Sequence, residues 1–112
     1  MNLNAGKTVT LDATGAGTLT LGPQDQRGTQ TWTIDGLLWS STAARIGKTP
    51  IPRIQIYQDV VSPGNLQAQS YDGSFGSASG SLVLQQGSVL VAVWTGGQAG
   101  DVLSLTVTGT KG

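Results

Sequence analysis

The chain contains no cysteine, no histidine and no glutamate; all six acidic residues are aspartates. Without cysteine there are no disulfides and no thiolate metal ligands, and cysteine usage says nothing about redox compartment. With histidine missing as well, the common zinc ligand sets cannot be assembled, and a hydroxyl nucleophile lacks its usual base. Charge is also scarce: 11% of residues are charged, against about 25% in ordinary domains. Six cations balance six anions, so there is no electrostatic footprint for nucleic acid or an anionic membrane. Long apolar runs are missing too. The longest, Val89–Trp94, is far below the ~20 residues of a membrane-spanning helix. The opening MNLNAGKTVTL has no basic segment leading into an apolar one. No secretory signal is therefore expected, and the chain reads as a product of cytoplasmic translation.

Glycine, threonine, serine and glutamine take the place of charge. Threonine favours strands and glycine supplies turns, while the usual residues of exposed helices are scarce or absent. The expectation is an all-β protein with a neutral polar surface. Such a surface is weakly protected against association, so the composition suits a subunit covered by neighbours as well as a free-standing β-domain. At 112 residues the chain is one domain by length, large enough to bury roughly two-thirds of its unfolded surface.

The segment Ser81–Thr95, SLVLQQGSVLVAVWT, organises the rest. Its run Val89–Trp94 is rich in β-branched residues and bracketed by Gly87 and Gly96–Gly97, which predicts a strand buried on both faces. Left at an edge it would invite aggregation, so other strands must cover it. Thr29–Ser41 is the second long apolar segment. Trp32 and Ile34 alternate with threonines, Gly36 interrupts, and Leu37, Leu38 and Trp39 follow. A glycine within a strand marks a bulge or bend, so one long strand kinked at Asp35–Gly36 is expected, central and doubly buried over Trp32–Trp39. A short helix over Leu37–Arg45 is the rival.

Apolar residues alternate in Lys7–Leu11, Thr18–Leu21, Arg53–Gln58, Ser81–Gln85 and Asp101–Gly109, and a short polar strand is expected near Gln67–Tyr71. Turn formers separate these pieces: DATGAG at Asp12–Gly17, GPQDQRG at Gly22–Gly28, and GGQAGD at Gly96–Asp101. Ser62-Pro63-Gly64-Asn65 suits a type II turn. Pro50 and Pro52 exclude a central strand over Ile46–Pro52. Met1–Gly6 is expected to be an irregular arm, and Gly/Ser-rich residues up to Gly80 a long loop. The sum is about eight strands, an antiparallel β-sandwich of jelly-roll type over residues 7–112, preceded by a short N-terminal arm over 1–6.

No arrangement of catalytic groups emerges, so an enzyme is not expected, and no cofactor or metal is expected. Asp12, Asp25, Asp35, Asp59, Asp72 and Asp101 all sit in or beside expected turns, where aspartate caps backbone N–H groups. That reading outweighs a carboxylate pair or a calcium loop, whose spacing does not occur. Trp32, Trp39 and Trp94 lie in apolar segments and belong to the core rather than to a sugar-stacking platform. Tyr57, Tyr71 and Phe75 lie among polar or small residues. They are either exposed contact anchors or, for Tyr57 and Tyr71, a cross-strand pair.

Several pieces carry a resemblance: the strand RIQIY at Arg53–Tyr57, the SPGN turn, the aromatic loop Tyr71-Asp72-Gly73, and the strand ending VAVW at Val91–Trp94 with its glycine-rich hairpin and alternating last strand. Over roughly Thr29 to Gly109 the chain resembles small proteins encoded among the structural genes of tailed phages of actinobacteria. The resemblance implies a virion component made in the host cytoplasm, and it transfers no binding residue. The expected role is capsid decoration at the shell surface. Many copies would bind the major capsid protein, bridge its subunits and resist internal DNA pressure. The chain would act as a homo-oligomer, a trimer being what three-fold shell positions invite, with no nucleic acid or membrane partner. Expected contacts are Asn2, Leu3 and Asn4 of the arm, Tyr57, and the Gln69–Gly80 loop with Tyr71 and Phe75. The alternatives are a tail, neck or head-fibre component, and a carbohydrate-binding host-adhesion module.

Overall fold

The computed structural model describes residues 2–23, 31–41, 52–73 and 75–111. Eight strands follow in order: β1 (Asn2–Thr10), β2 (Gly17–Leu21), β3 (Thr31–Ser41), β4 (Arg53–Gln58), β5 (Leu66–Ser70), β6 (Phe75–Gln85), β7 (Leu90–Thr95) and β8 (Val102–Lys111). They form two four-stranded antiparallel sheets, ordered β1-β8-β3-β6 and β2-β7-β4-β5. First pairs with last, second with seventh, third with sixth and fourth with fifth. The chain is thus one long hairpin, turning between β4 and β5, rolled so that successive pairs alternate between sheets. That is the jelly roll, as expected.

Alternation supplies the core. Leu3 and Ala5 of β1, Trp32, Ile34, Leu37 and Trp39 of β3, Leu84 of β6, and Leu103, Leu105 and Val107 of β8 point inward from the first sheet. Leu19, Leu21, Ile54, Ile56, Leu90, Ala92 and Trp94 meet them from the second. The strand β7 lies between β2 and β4. Leu90, Val91, Ala92 and Trp94 are buried in it and Val93 half-buried, as the apolar run predicted.

The strand β3 is kinked as expected. Its register shifts between Ile34 and Gly36 against both neighbours. The inward residues change from even numbers, Trp32 and Ile34, to odd ones, Leu37 and Trp39. A single inserted residue does this, because side chains alternate with a period of two. On β8, Gly109 stands against this bulge; a Cβ there would lie 2.0 Å from the Thr33 carbonyl oxygen, so glycine is required by close approach. The expectation of double burial over Trp32–Trp39 fails. Thr33, Asp35 and Leu38 face outward and are exposed, because one face of this sheet is open. The helix over Leu37–Arg45 is also not formed in its described part, Leu37–Ser41 being strand.

Three further expectations need correction. Asn2–Gly6 is no irregular arm but the first half of β1, paired with Thr110–Thr106. Leu3 and Ala5 continue the inward alternation of the strand, hidden in the sequence by the asparagines between them. The Gly/Ser stretch from Phe75 to Gly80 is strand as well, its residues Phe75–Ser79 paired with Ser40–Gly36 of β3. Pro63–Asn65 forms a 3₁₀ turn; Gly64 is absent from the positive-φ glycines, whereas a type II turn would place it there. The expectations for Asp25 and for 46–50 lie outside the described residues.

Candidate functional site

The connection from β5 to β6 is where the sandwich offers something to a partner. Tyr71 and Phe75 flank it and are 84% and 70% exposed. The chain has only three tryptophans, two tyrosines and one phenylalanine, so a third of its aromatics are spent on solvent. Burying one such ring is worth roughly 1.5–3 kcal/mol, a gain that folding here forgoes.

The root of the connection is held rigidly. Trp39, on the first sheet, donates its indole N–H to the Asp72 carbonyl at 3.0 Å. Trp94, on the second, donates to the Gly73 carbonyl at 2.9 Å. The Gly73 amide in turn donates to the Pro52 carbonyl at 2.6 Å, and the Asp72 amide to Ser70 Oγ at 3.1 Å. Gly73 and Gly76 lie close against the indoles. A Cβ on Gly73 would sit 2.8 Å from Trp94 Cδ1, and one on Gly76 2.6 Å from Trp39 Nε1. The tryptophans are core residues, as expected, and their polar ends add a second role. A buried indole N–H needs an acceptor, and here the acceptor is the loop itself. Trp32, by contrast, finds no acceptor among the described residues.

On the outer side of the tip Arg53 stacks over Tyr71, its Cζ 5.2 Å from the ring centroid, and donates to Gln69 Oε1 at 3.3 Å. Such a cation–π contact is worth about 0.5–1 kcal/mol at an exposed site, enough to bias the tyrosine ring toward one orientation. Arg53, Gln69, Ser70 and Tyr71 line a shallow depression there.

Of the residues expected to make contacts, Tyr71 and Phe75 are exposed at the two ends of one connection. Leu3 is 2% exposed and Tyr57 8%, so both are withdrawn from any surface. Leu3 follows the inward alternation of β1. Tyr57 stands opposite Leu66 and Val91 and turns its hydroxyl to Gln55 Oε1 at 3.1 Å; it is not the cross-strand partner of Tyr71. Asn2 and Asn4 are exposed but start β1, at the opposite end of the sandwich. Gln69 opened the expected contact loop; sequence reasoning missed Arg53. The pairing Ile54↔Ser70 brings Arg53 beside Tyr71, and that register is invisible without the hairpin.

The opposite end carries a second exposed pair, Val60 and Val61, 59% and 54% exposed. Asp59 holds the left-handed φ of 66° there. Its amide donates to the Val89 carbonyl at 2.8 Å and its Oδ1 accepts from the Val89 amide at 3.0 Å. Asn65 Nδ2 donates to the Gln58 carbonyl at 2.7 Å.

Asp12 serves a turn as expected, whereas Asp35 lies within β3 at its bulge, because the strand runs on through it. Asp12 Oδ1 accepts from the Thr14 hydroxyl, the Thr14 amide and the Ala16 amide. Those three bonds, the hydroxyl first, hold its carboxyl below the usual carboxylate range. Asp35 Oδ1 accepts from the Thr108 hydroxyl at 3.3 Å.

No family model and no curated protein matches this chain.

Proposed function

We propose that this protein is a structural component of a phage virion, a decoration protein that binds the major capsid protein on the surface of the assembled shell. The observation that carries the reading is the aromatic pair Tyr71 and Phe75, exposed at a connection that two core tryptophans anchor. A pre-ordered aromatic pair loses little entropy on docking, so most of its burial energy appears as affinity. A neutral, charge-poor surface suits dense packing of copies on a lattice without mutual repulsion.

The test uses shells purified without the protein. Wild-type chain added back binds mature or expanded shells, and a Tyr71→Ala/Phe75→Ala variant with an unchanged melting temperature loses that binding by at least about tenfold. Wild-type chain that ignores such shells would sink the capsid reading. Labelling in electron micrographs that marks tail, neck or head fibres instead would move the protein there.

One observation favours a second reading, a carbohydrate-binding adhesion module. Tyr71 presents an exposed ring beside the polar groups of Arg53 and Gln69, the mixture of stacking face and hydrogen-bond donors that a sugar ring uses. Glycan-array binding abolished by Tyr71→Ala would support it, and a blank array would remove it.

A further inference from the structure

The four sheet edges are protected very unequally. The strand β1 carries Lys7 at an inward-register position between Ala5 and Val9, a charge that discourages another strand from docking. The strands β2 and β5 have five residues each, too short to template much pairing. The strand β6 has eleven residues, FGSASGSLVLQ, with no charge and no proline. Only Leu84 in it is buried. Beyond its ladder with β3 and the turn at Gln85, it makes one hydrogen bond among the described residues: Gln58 Nε2 donates to the Val83 carbonyl at 3.4 Å, a long contact easily exchanged for a ladder bond. Among the described residues the sandwich is open beside it. A cleft of about 110 Å³ lies between β6 and β5, lined by Leu37, Ala68, Ala78 and Leu82 among others.

We infer that β6 is a self-association edge, pairing antiparallel with β6 of a second copy about a two-fold axis through Gly80. The strand is self-complementary in that register and no other occupant is needed to explain it. Its first half is small, Gly76 to Ser79, and its second half large, Leu82 to Leu84. Antiparallel pairing about Gly80 sets Gly76 opposite Leu84, Ser77 opposite Val83 and Ala78 opposite Leu82, small against large in each row. It also keeps inward residues opposite inward and outward opposite outward, as the period of two requires.

Two exposed aliphatics gain cover in the same step. Leu38 pairs with Ser77 within the sheet, so Leu38 and the second copy's Val83 flank Ser77 in one outer row. They are 45% and 46% exposed in the single chain. The irregularity opposite Asp35 falls at Gly80 and Ser81, the centre of the strand, so the two-fold axis matches crease to crease. The resulting eight-stranded sheet closes the least protected edge in an isologous contact. This inference is independent of the capsid reading, and it predicts a dimer through β6 rather than a trimer.

Sedimentation of the full chain over a dilution series tests it. Wild type is expected to pass from monomer to dimer as concentration rises. Ser79→Lys with Ser81→Lys places two lysines of each copy against two of the other; both positions are exposed, so the melting temperature of the fold is retained while the dimer is lost. Ser79→Asp with Ser81→Asp is likewise monomeric, and an equimolar mixture of the two variants regains a heterodimer. The inference is overturned by wild type that stays monomeric up to about 1 mM, by an oligomer that the double-lysine variant leaves intact, by a trimer, or by a mixture of the two variants that does not re-pair. A strand of another protein occupying the edge of an otherwise monomeric wild type overturns it equally.

Discussion

At one end of the sandwich the Tyr71–Gly73 connection is tied to the core by two indole N–H groups; at the other, Asp59–Asn65 is tied by polar side chains at the surface. Both ends display apolar pairs, Tyr71 with Phe75 and Val60 with Val61. The difference lies in what must break before each pair can move. Freeing the aromatic tip means leaving a buried indole without its acceptor, and each such loss costs about 1–3 kcal/mol. Freeing the valine turn means losing bonds that water can replace. The aromatic end is therefore the stiffer of the two, and stiffness is what a docking surface uses.

The largest effect is expected at the buried latch. Trp94→Phe removes the donor to the Gly73 carbonyl and leaves unfilled space, a loss of about 2–4 kcal/mol, read as a lower denaturation midpoint at unchanged slope. Gly76→Ala presses a methyl group into the Trp39 ring and is expected to cost about 1–3 kcal/mol. If both substitutions prove silent, the tip is not held from the core and the contrast between the ends collapses.

The opposite end is expected to be softer. Asp59→Ala loses the Val89 amide contact and strains the backbone at a φ of 66°, about 1–2 kcal/mol together. Asp59→Asn keeps an acceptor and a residue that tolerates that conformation, so its unfolding curve should nearly overlay wild type. Tyr71→Ala is smaller again. Its ring is 84% exposed, so its stability change should stay within about 0.5 kcal/mol; a larger loss would mean that the tip is part of the fold rather than displayed by it.

The smallest effect concerns acid. The Asp12 carboxyl is held low by Thr14 and Ala16, so its stabilising bonds are complete above the ordinary carboxylate range. They are lost as pH falls through the lowered value. Asp12→Asn should flatten that part of the acid-unfolding curve without shifting the neutral midpoint much. An acid limb that is identical in the two proteins would show that the loop contributes nothing there.

Much of the fold was legible because a half-buried strand announces itself by alternation. Leu103, Leu105 and Val107, or Ile54 and Ile56, could face only one way. The apolar run of β7 announced its inner position, and Gly36 the bulge in β3. Legibility failed where the pattern was carried by small or polar residues. Asn2–Gly6 and Phe75–Gly80 have weak strand signals, and they are strands because β8 and β3 already offer an edge to pair with. The displayed pair Tyr71 and Phe75 stood out from its polar and glycine neighbours, whereas Tyr57, in a similar sequence setting, is buried on the outer face of its sheet.

The sequence by itself determined an all-β chain, its eight strands to within their weak ends, its tryptophan core and the absence of histidine and cysteine chemistry. Those are consequences of local pattern and composition, which act over a few residues. Only the tertiary structure decided which aromatics reach solvent, that Arg53 lies beside Tyr71, that Trp39 and Trp94 anchor one loop from two sheets, and that β6 is an edge strand of its sheet. Each of those depends on register and strand order between segments far apart in the chain. Register is chosen by burial of the whole core at once, and no short window of sequence contains that choice.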